Sequence, residues 1–202
     1  MKPIRGLLFI AIIALILFSC KKEQETSYIK VNDPFLGTWD FVSIDAKTQS
    51  SKEFNLDGFE AKLMAHLNYV TENNEGKVTI SDSVITTTGL TYNVSSSIKK
   101  YVYKNGILTD SSEHPYSIVF SEPQSSCTYT RIGDDSIAFP KGGFINISAS
   151  TLRTEALAAK IILEGNTLKF KEYIYTDSTR SIRGITYRNI QTGTAIISLR
   201  RN

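Results

Sequence analysis

The side chains that most often carry chemistry are few in this chain and do not cluster. It contains two histidines, His66 and His114, and two cysteines, Cys20 and Cys127. No His-x-x-x-His, Cys-x-x-Cys or acidic calcium loop is present, so the sequence predicts no metal and no other cofactor. Gly-x-Ser-x-Gly and phosphate-binding glycine loops are also absent, and the pair Asp134-Asp135 falls in a turn sequence. We therefore expect no enzyme activity.

If Cys20 carries a lipid, as argued below, Cys127 has no partner for an intrachain disulfide. A lone thiol in an oxidising compartment is best explained as part of a core, and its role is otherwise open. A nucleophilic role is disfavoured because no histidine lies nearby in sequence to activate it.

A binding role is the better prediction, and three residues are candidates for it. Tyr129 and Arg131 share one side of a strand, and Tyr187 lies on a later strand. An inward arginine near tyrosines would hold a carboxylate by charge-assisted hydrogen bonds. The alternative for Arg131 is an ordinary surface charge on a strand.

The N-terminus predicts export and anchoring. Lys2 and Arg5 precede an apolar run from 7 to 18, which is short for a membrane span and typical of a secretory signal. The following Ser19-Cys20 resembles a bacterial lipobox, which implies cleavage before Cys20 and its acylation, including palmitate. We expect a signal peptide over 1–19 and a flexible polar tether over 20–34. The alternatives are an ordinary signal peptide or an uncleaved anchor.

The charge that remains after cleavage is nearly balanced. Removal of Lys2 and Arg5 leaves 21 basic and 20 acidic residues. No basic cluster is interleaved with aromatic residues, so nucleic acid is not expected as a partner. Lys21-Lys22-Glu23 resembles the charged export signals of some Bacteroidetes surface lipoproteins, although a plain linker has the same composition.

The remaining residues, 35–202, predict one all-β domain. Short β-branched stretches alternate with turn signals about every ten residues, which is typical of a meandering antiparallel barrel. Lys104-Asn105-Gly106, Gly133-Asp134-Asp135 and Glu164-Gly165-Asn166 predict hairpins. The polar stretch 45–52 is expected to be a loop.

One helix is expected after the first strand. Asp57-Gly58-Phe59-Glu60 has the spacing of a capping box, and Phe59, Leu63, Leu67 and Val70 recur at helical spacing. A short helical turn is also expected over 152–155. The longer helix would pack on the barrel or act as a lid over its mouth.

The stretch Phe35-Leu36-Gly37-Thr38-Trp39 resembles the opening of the calycin superfamily, the lipocalins and fatty-acid-binding proteins, and the chain is similar to Bacteroidetes lipocalin-like lipoproteins. This resemblance implies a lipocalin-like barrel that binds a small hydrophobic or amphipathic ligand. It also implies that a late arginine, Arg200 or Arg201, lies across Trp39.

The sequence thus predicts a lipid-anchored protein of the cell envelope, with the outer membrane as its expected location. Its expected partners are the membrane, through the N-terminal lipid, and a small hydrophobic ligand. The alternative is a structural or protein-interaction lipoprotein with a filled barrel. Three Asp-Ser triplets, beginning at Asp82, Asp135 and Asp177, resemble an O-glycosylation motif but are also common turn sequences. The sequence leaves open the membrane face, the oligomeric state and any protein partner.

Overall fold

The computed structural model describes residues 33–56, 58–140, 143 and 158–201, and every element within them is a β-strand. The compact unit is Pro34–Asn202. The strands are β1 (Gly37–Leu56), β2 (Phe59–Val70), β3 (Glu72–Ile80), β4 (Val84–Lys104), β5 (Ile107–Thr128), β6 (Thr130–Ile132), β7 (Ser136–Ala138), β8 (Ala158–Glu164), β9 (Thr167–Ile182) and β10 (Ile185–Arg200). The predicted signal peptide and the predicted helical turn at 152–155 lie outside the described residues.

These strands close into an antiparallel meander barrel, as the sequence predicted. β2 and β3 act as one interrupted strand, because both pair with β1 and both pair with β4. β5 and β6 likewise follow one another across Tyr129, so that β5 pairs with β4 and β6 with β7. β7, β8, β9 and β10 then pair in order, and β10 returns to β1. The ten strands therefore occupy eight positions around a closed ring.

The core fills one end of this ring, which we call the closed half. It comprises the strand segments on the Trp39 side of Ala46 and their neighbours. Alternation along the strands points Trp39, Ile44 and Ala46 inward, and a bulge between Phe41 and Ser43 changes the alternation. The fully buried side chains that share this interior come from seven strands and the residue after β7; they include Val78, Ile85, Leu90, Tyr92, Ile137, Phe139, Leu168, Phe170, Ile197 and Leu199.

The same strands continue past Ala46 into what we call the open half. Among the described strands, β5 pairs only with β4, and β9 beyond Glu172 pairs only with β10. The open half is therefore a curved sheet in the order β5-β4-β2-β1-β10-β9, with its concave side continuous with the barrel interior. Its outer strand β5 is exposed over almost all of Ile107–Pro115.

The predicted helix after the first strand is wrong, because residues 59–70 form β2. A spacing of four satisfies both a helix and a strand, so Phe59, Leu63 and Leu67 lie on one side of β2 as well. Val70, which fitted only the helix, points outward and is 54% exposed. Gly58, expected in a capping box, has a φ of 86° and lies in the β1–β2 turn. Twelve paired residues of β1 and β2 outweigh the weaker local helical preference.

The predicted loop over 45–52 is also wrong, since it belongs to the twenty-residue β1. The three hairpins that were expected from Asn-Gly and similar signals are confirmed between β4 and β5, β6 and β7, and β8 and β9. Asn105 and Gly106 both have positive φ, as a tight hairpin turn requires. The glycine- and asparagine-containing turn sequences therefore predicted the ends of strands correctly. The polar character of residues 45–52 did not predict a loop correctly.

Candidate functional site

A pocket of about 550 Å³ lies on the concave side of the open half. Five adjacent strands contribute inward-facing residues to its wall, one or more from each of β4, β2, β1, β10 and β9. The inward-facing lining residues are Ser50, Lys52, Leu63, Ala65, Lys100, Val102, Thr176, Ser178, Arg180, Asn189 and Gln191. Ser51, Met64, Tyr101 and Ile190, at the intervening positions of the same strands, also line the pocket.

The lining combines cations, neutral polar groups and an apolar patch. Lys52, Lys100 and Arg180 supply positive charge, and none of the residues that line the pocket is acidic. The side chains of Asn189 and Gln191 supply amides, while Leu63 and Val102 are paired neighbours on β2 and β4. Leu63 remains 40% exposed, so an apolar surface is available inside the pocket. A few polar groups on an otherwise apolar wall are the ordinary composition of a small-molecule site.

A second cavity, of about 660 Å³, lies near the tips of the β1–β2 and β4–β5 hairpins. Its lining contains Glu53, Glu60 and Lys62, and Lys62 Nζ is 2.8 Å from Glu53 Oε1. Because Lys62 and Glu53 neutralise each other, this cavity has less net charge to attract a charged ligand than the first pocket, which we call the inner pocket. We therefore take the inner pocket as the candidate site.

Tyr187, one of the three predicted binding residues, lies next to this pocket. Its ring centroid is 5.2 Å from that of Phe54, its partner across β10 and β1. Lys52 Nζ lies 4.3 Å from the Tyr187 ring centroid, within the range of a cation–π contact. The Tyr187 ring thus contacts Lys52, one of the cations that line the pocket.

Tyr129 and Arg131 lie instead at the closed half, where both contact Phe35. The rings of Phe35 and Tyr129 meet edge to face at 6.3 Å, and the Arg131 guanidinium lies 4.4 Å from the Phe35 ring. The Tyr129 hydroxyl donates to the carbonyl of Ser81 at 2.6 Å, and Tyr129 is only 2% exposed. These contacts close the base of the barrel, and neither residue lines the pocket.

Trp39 is packed at the same end by a cation from the C-terminus. The guanidinium of Arg201 lies 4.1 Å from the Trp39 ring and donates to the carbonyl of Leu36 at 2.5 Å, whereas Arg200 is exposed. Gly37 has a φ of 115°, and a Cβ there would lie 3.3 Å from Arg201 Nη2. Glycine therefore permits both the backbone conformation and the approach of the arginine.

A buried carboxyl group lies between the two halves. Glu172 on β9 is fully buried, and neither of its side-chain oxygens has a hydrogen-bond partner among the described residues. Burial raises its pKa to about 8, so the carboxyl is mostly protonated at neutral pH. Its partners across β8 and β10 are Ala159 and Ala195, whose small side chains offer no compensating polar group.

Cys127, for which the sequence disfavoured a nucleophilic role, is half-buried against the core. Burial, and secondarily the negative charge of Glu172, raise the pKa of the Cys127 thiol to about 11. Thiolate is the reactive form of cysteine, and very little of it exists near pH 7 at this position. The described residues contain no group of three or more histidine, cysteine or acidic side chains placed to hold a metal.

The outer surface of the barrel carries ion pairs in both halves. Salt bridges on this surface include Lys77–Asp40 at the closed half, at 2.8 Å, and Arg188–Asp177 at the open half, at 2.6 Å. Strands that cross a membrane instead carry an apolar outward band about 25 Å tall. No helix in the described part of the chain has the length and apolarity to cross a membrane.

Comparison with known proteins gives no family. No family model matches the chain, and no curated protein matches it. The solved structures that match include two of Ail, the attachment invasion locus protein of Yersinia pestis, one of them in complex with the heparin analogue sucrose octasulfate. Their sequences are 10% and 11% identical to this chain, and each match covers 81% of this chain and 99% of Ail. The TM-scores are 0.19 and 0.17, which are too low to support an argument about fold or function.

The predicted resemblance to lipocalins and fatty-acid-binding proteins is therefore wrong. The comparison with solved structures returned Ail and no member of the calycin superfamily. The helix that the fatty-acid-binding resemblance implied after the first strand is the strand β2. Gly-x-Trp is a short motif, and a glycine that makes room for an arginine over an indole accounts for it without common ancestry.

Sequence reasoning missed Lys52, Lys100, Arg180 and Glu172. Lys52 was assigned to a loop, and Lys100 was given no role. A signal for both existed: once a strand is traced from its buried end, every second residue must face inward. Counting from Ile44 on β1 reaches Lys52, and counting from Val94 on β4 reaches Lys100.

Proposed function

We propose that this protein is a cell-envelope lipoprotein whose barrel binds a small amphipathic molecule in the inner pocket of the open half. The observation that carries the proposal is the pocket itself, with about 550 Å³ of space and a wall that joins apolar and polar groups. The opposite end of the barrel is filled with side chains, so the open half is the part with room for a ligand. No histidine, cysteine or carboxylate lines the pocket, and we propose no catalytic step.

The proposed attachment is an N-terminal lipid at Cys20, with the outer membrane as the proposed location. The ion pairs Lys77–Asp40 and Arg188–Asp177 on the outer surface favour attachment beside a membrane over burial within one. Several acyl chains at roughly 0.8 kcal/mol for each buried methylene would hold a protein of this size firmly.

Labelling with radioactive palmitate tests the anchor. The full chain should incorporate label and fractionate with outer membranes, and Cys20→Ala should abolish both. Cys127→Ala is the matched control, because Cys127 is half-buried in the barrel and should leave labelling unchanged. Label that persists in Cys20→Ala would overturn the proposed anchor.

Native mass spectrometry tests the ligand site. A chain beginning at Lys21 keeps every described strand and the β1–β10 closure, so it should fold. We expect it to retain a small amphipathic molecule, and Ala65→Phe, which fills the pocket, to lose it. His66→Phe is the matched control, since His66 faces the outside of the same strand and contacts Tyr101 there. No bound molecule, and no uptake of any added amphiphile, would overturn the binding function.

A second candidate is a protein-interaction lipoprotein that takes no small ligand. It is favoured by exposed apolar side chains on the outer strands of the open half: Val119 is 78% exposed, Tyr173 is 60% and Tyr175 is 65%. Exposed apolar residues on strands with one described neighbour are typical of surfaces that pair with another chain. Crosslinking on intact cells that captures one envelope protein at these residues, together with an empty pocket, would favour this candidate.

A further inference from the structure

We infer that the molecule bound in the inner pocket carries an anionic head group, which Lys52, Lys100 and Arg180 hold. This inference rests on the proposed binding function and specifies its ligand class. It begins from the distribution of charge: the three charged residues of the lining all have the same sign. If the charged residues of the lining were a random selection, acidic side chains would be expected among them, because the chain has nearly equal numbers of acidic and basic residues.

The strand register places the three cations around one region. Lys52 lies on β1, in the middle of the sheet, and pairs with Asn189 on β10. Arg180 lies one strand beyond β10, and Lys100 lies one strand beyond β2 on the other side. The three cations are thus spread over five neighbouring strands, about 4.8 Å apart, and all three line the same pocket.

These three cations form no salt bridge with another described residue, whereas many charges on the outer surface do. Glu53, the neighbour of Lys52, points outward and meets Lys62 at 2.8 Å and Arg188 at 3.8 Å. Asp110 on β5 lies opposite Val102 and is exposed. A ligand anion would therefore supply charge that the surrounding wall does not.

The rest of the wall suits a head group with an apolar extension. Arginine presents a planar fork of donors that fits a carboxylate or a phosphate, and lysine adds point charge. Asn189 and Gln191 can hydrogen-bond the same head group, while Leu63 and Val102 provide a surface for a hydrocarbon chain. Tyr187 acts as a positioning residue, because its ring holds Lys52 Nζ at 4.3 Å.

The test is a titration of the purified 21–202 chain with amphiphiles that share a twelve-carbon chain and differ only in the head group. Dodecanoate and dodecyl phosphate are the anionic probes, dodecanol is the neutral probe and dodecyltrimethylammonium is the cationic probe. We expect both anions to bind at least tenfold more tightly than dodecanol, and the cation to bind least. The tighter of the two anions identifies the head group as carboxylate or phosphate.

Variants then assign the charge to its residues. Lys52→Gln, Lys100→Gln and Arg180→Gln should each weaken binding of the anions by about tenfold, the value of one charge-assisted hydrogen bond, and leave dodecanol unchanged. Lys99→Gln is the matched control, because Lys99 is exposed on the outer face of β4 next to Lys100. Tyr187→Phe should leave anion affinity within twofold, since its ring remains, whereas Tyr187→Leu should weaken it.

Two results would have different meanings. If no amphiphile of any charge binds, the proposed binding function itself is wrong. If dodecanol binds as tightly as the anions, or if the triple variant of Lys52, Lys100 and Arg180 keeps its preference for anions, the pocket binds amphiphiles but the inferred role of the three cations is wrong.

Discussion

The two halves of this barrel are built from the same strands, but one has a filled interior and the other has a pocket. On the inward face of β9, Phe170 is fully buried in the closed half, whereas Ser178 is exposed in the open half. In the closed half each strand has neighbours on both sides, and its inward side chains are apolar and fill the interior. In the open half most inward positions are polar or charged, with Leu63, Ala65 and Val102 as the apolar ones, and the space between them is the pocket.

This difference teaches where stability and function reside. Burial of apolar surface stabilises by about 25 cal/mol for each Å², so the filled half must supply most of the folding free energy. The open half is held mainly by backbone pairing to the strands that emerge from the closed half. Residues there are consequently free to carry unpaired charge for binding. The following four expectations are ordered from the largest effect to the smallest.

Replacement of aromatic residues on β9 should separate the halves most clearly. We expect Phe170→Ala to lower the free energy of unfolding by about 3–5 kcal/mol, because it leaves a cavity among packed side chains. Tyr175→Ala on the same strand should change it by less than about 0.5 kcal/mol. Urea unfolding monitored by the fluorescence of Trp39 measures both. Equal losses would show that Tyr175, on the outer face of β9 in the open half, is packed as tightly as Phe170 in the closed half.

Glu172 should make the closed half sensitive to alkaline pH. Its folded-state pKa of about 8 exceeds the ordinary value of 4.5, so the folded protein binds the proton more tightly than the unfolded chain does. Stability is therefore greatest below pH 4.5, as far as this group is concerned, and is lost as the pH rises from 4.5 through 8, by up to about 5 kcal/mol. Glu172→Gln should remove this slope in urea titrations at pH 5 to 9. The control is Glu164→Gln, which affects only an exposed pair with Lys169, and a slope that survives in Glu172→Gln would refute the assignment.

Arg201 and Arg200 offer a matched pair at the closed half. Arg201→Ala removes the contact with Trp39 and the hydrogen bond to Leu36, and should cost about 1–3 kcal/mol. Arg200→Ala should cost less than about 0.5 kcal/mol, because that side chain is exposed. Thermal unfolding and the Trp39 emission maximum provide the measurement. A larger effect at Arg200 would mean that the other arginine packs on the indole.

Cations of the pocket should contribute least to stability. Lys52→Gln and Lys100→Gln should each change the free energy of unfolding by less than about 0.5 kcal/mol, since neither forms a salt bridge with a described residue. Removal of repulsion between like charges makes a small gain the expected direction. Chemical unfolding at low ionic strength gives the measurement. A substantial loss of stability in either variant would indicate a structural role for these lysines.

Local turn chemistry and alternation were sufficient to predict an all-β antiparallel barrel. Asn105-Gly106 fixed one hairpin, because positive φ at both positions is readily reached only by such residues. The helix prediction failed at Phe59, Leu63 and Leu67, since their spacing of four fits both kinds of structure. Residues 45–52 were assigned to a loop because polar sequence normally lies outside a sheet, yet here polar residues face the inside of the open half.

The sequence by itself determined the all-β character, several of the turns and the apolar residues of the closed half, because these depend on local conformation and on alternation along one strand. Only the tertiary structure decided which of the two C-terminal arginines covers Trp39, which glutamate is buried, and which three cations share a pocket. Those relations join residues separated by up to about 165 positions, and they depend on the register between strands. Register is a property of paired strands, so no single strand's sequence contains it.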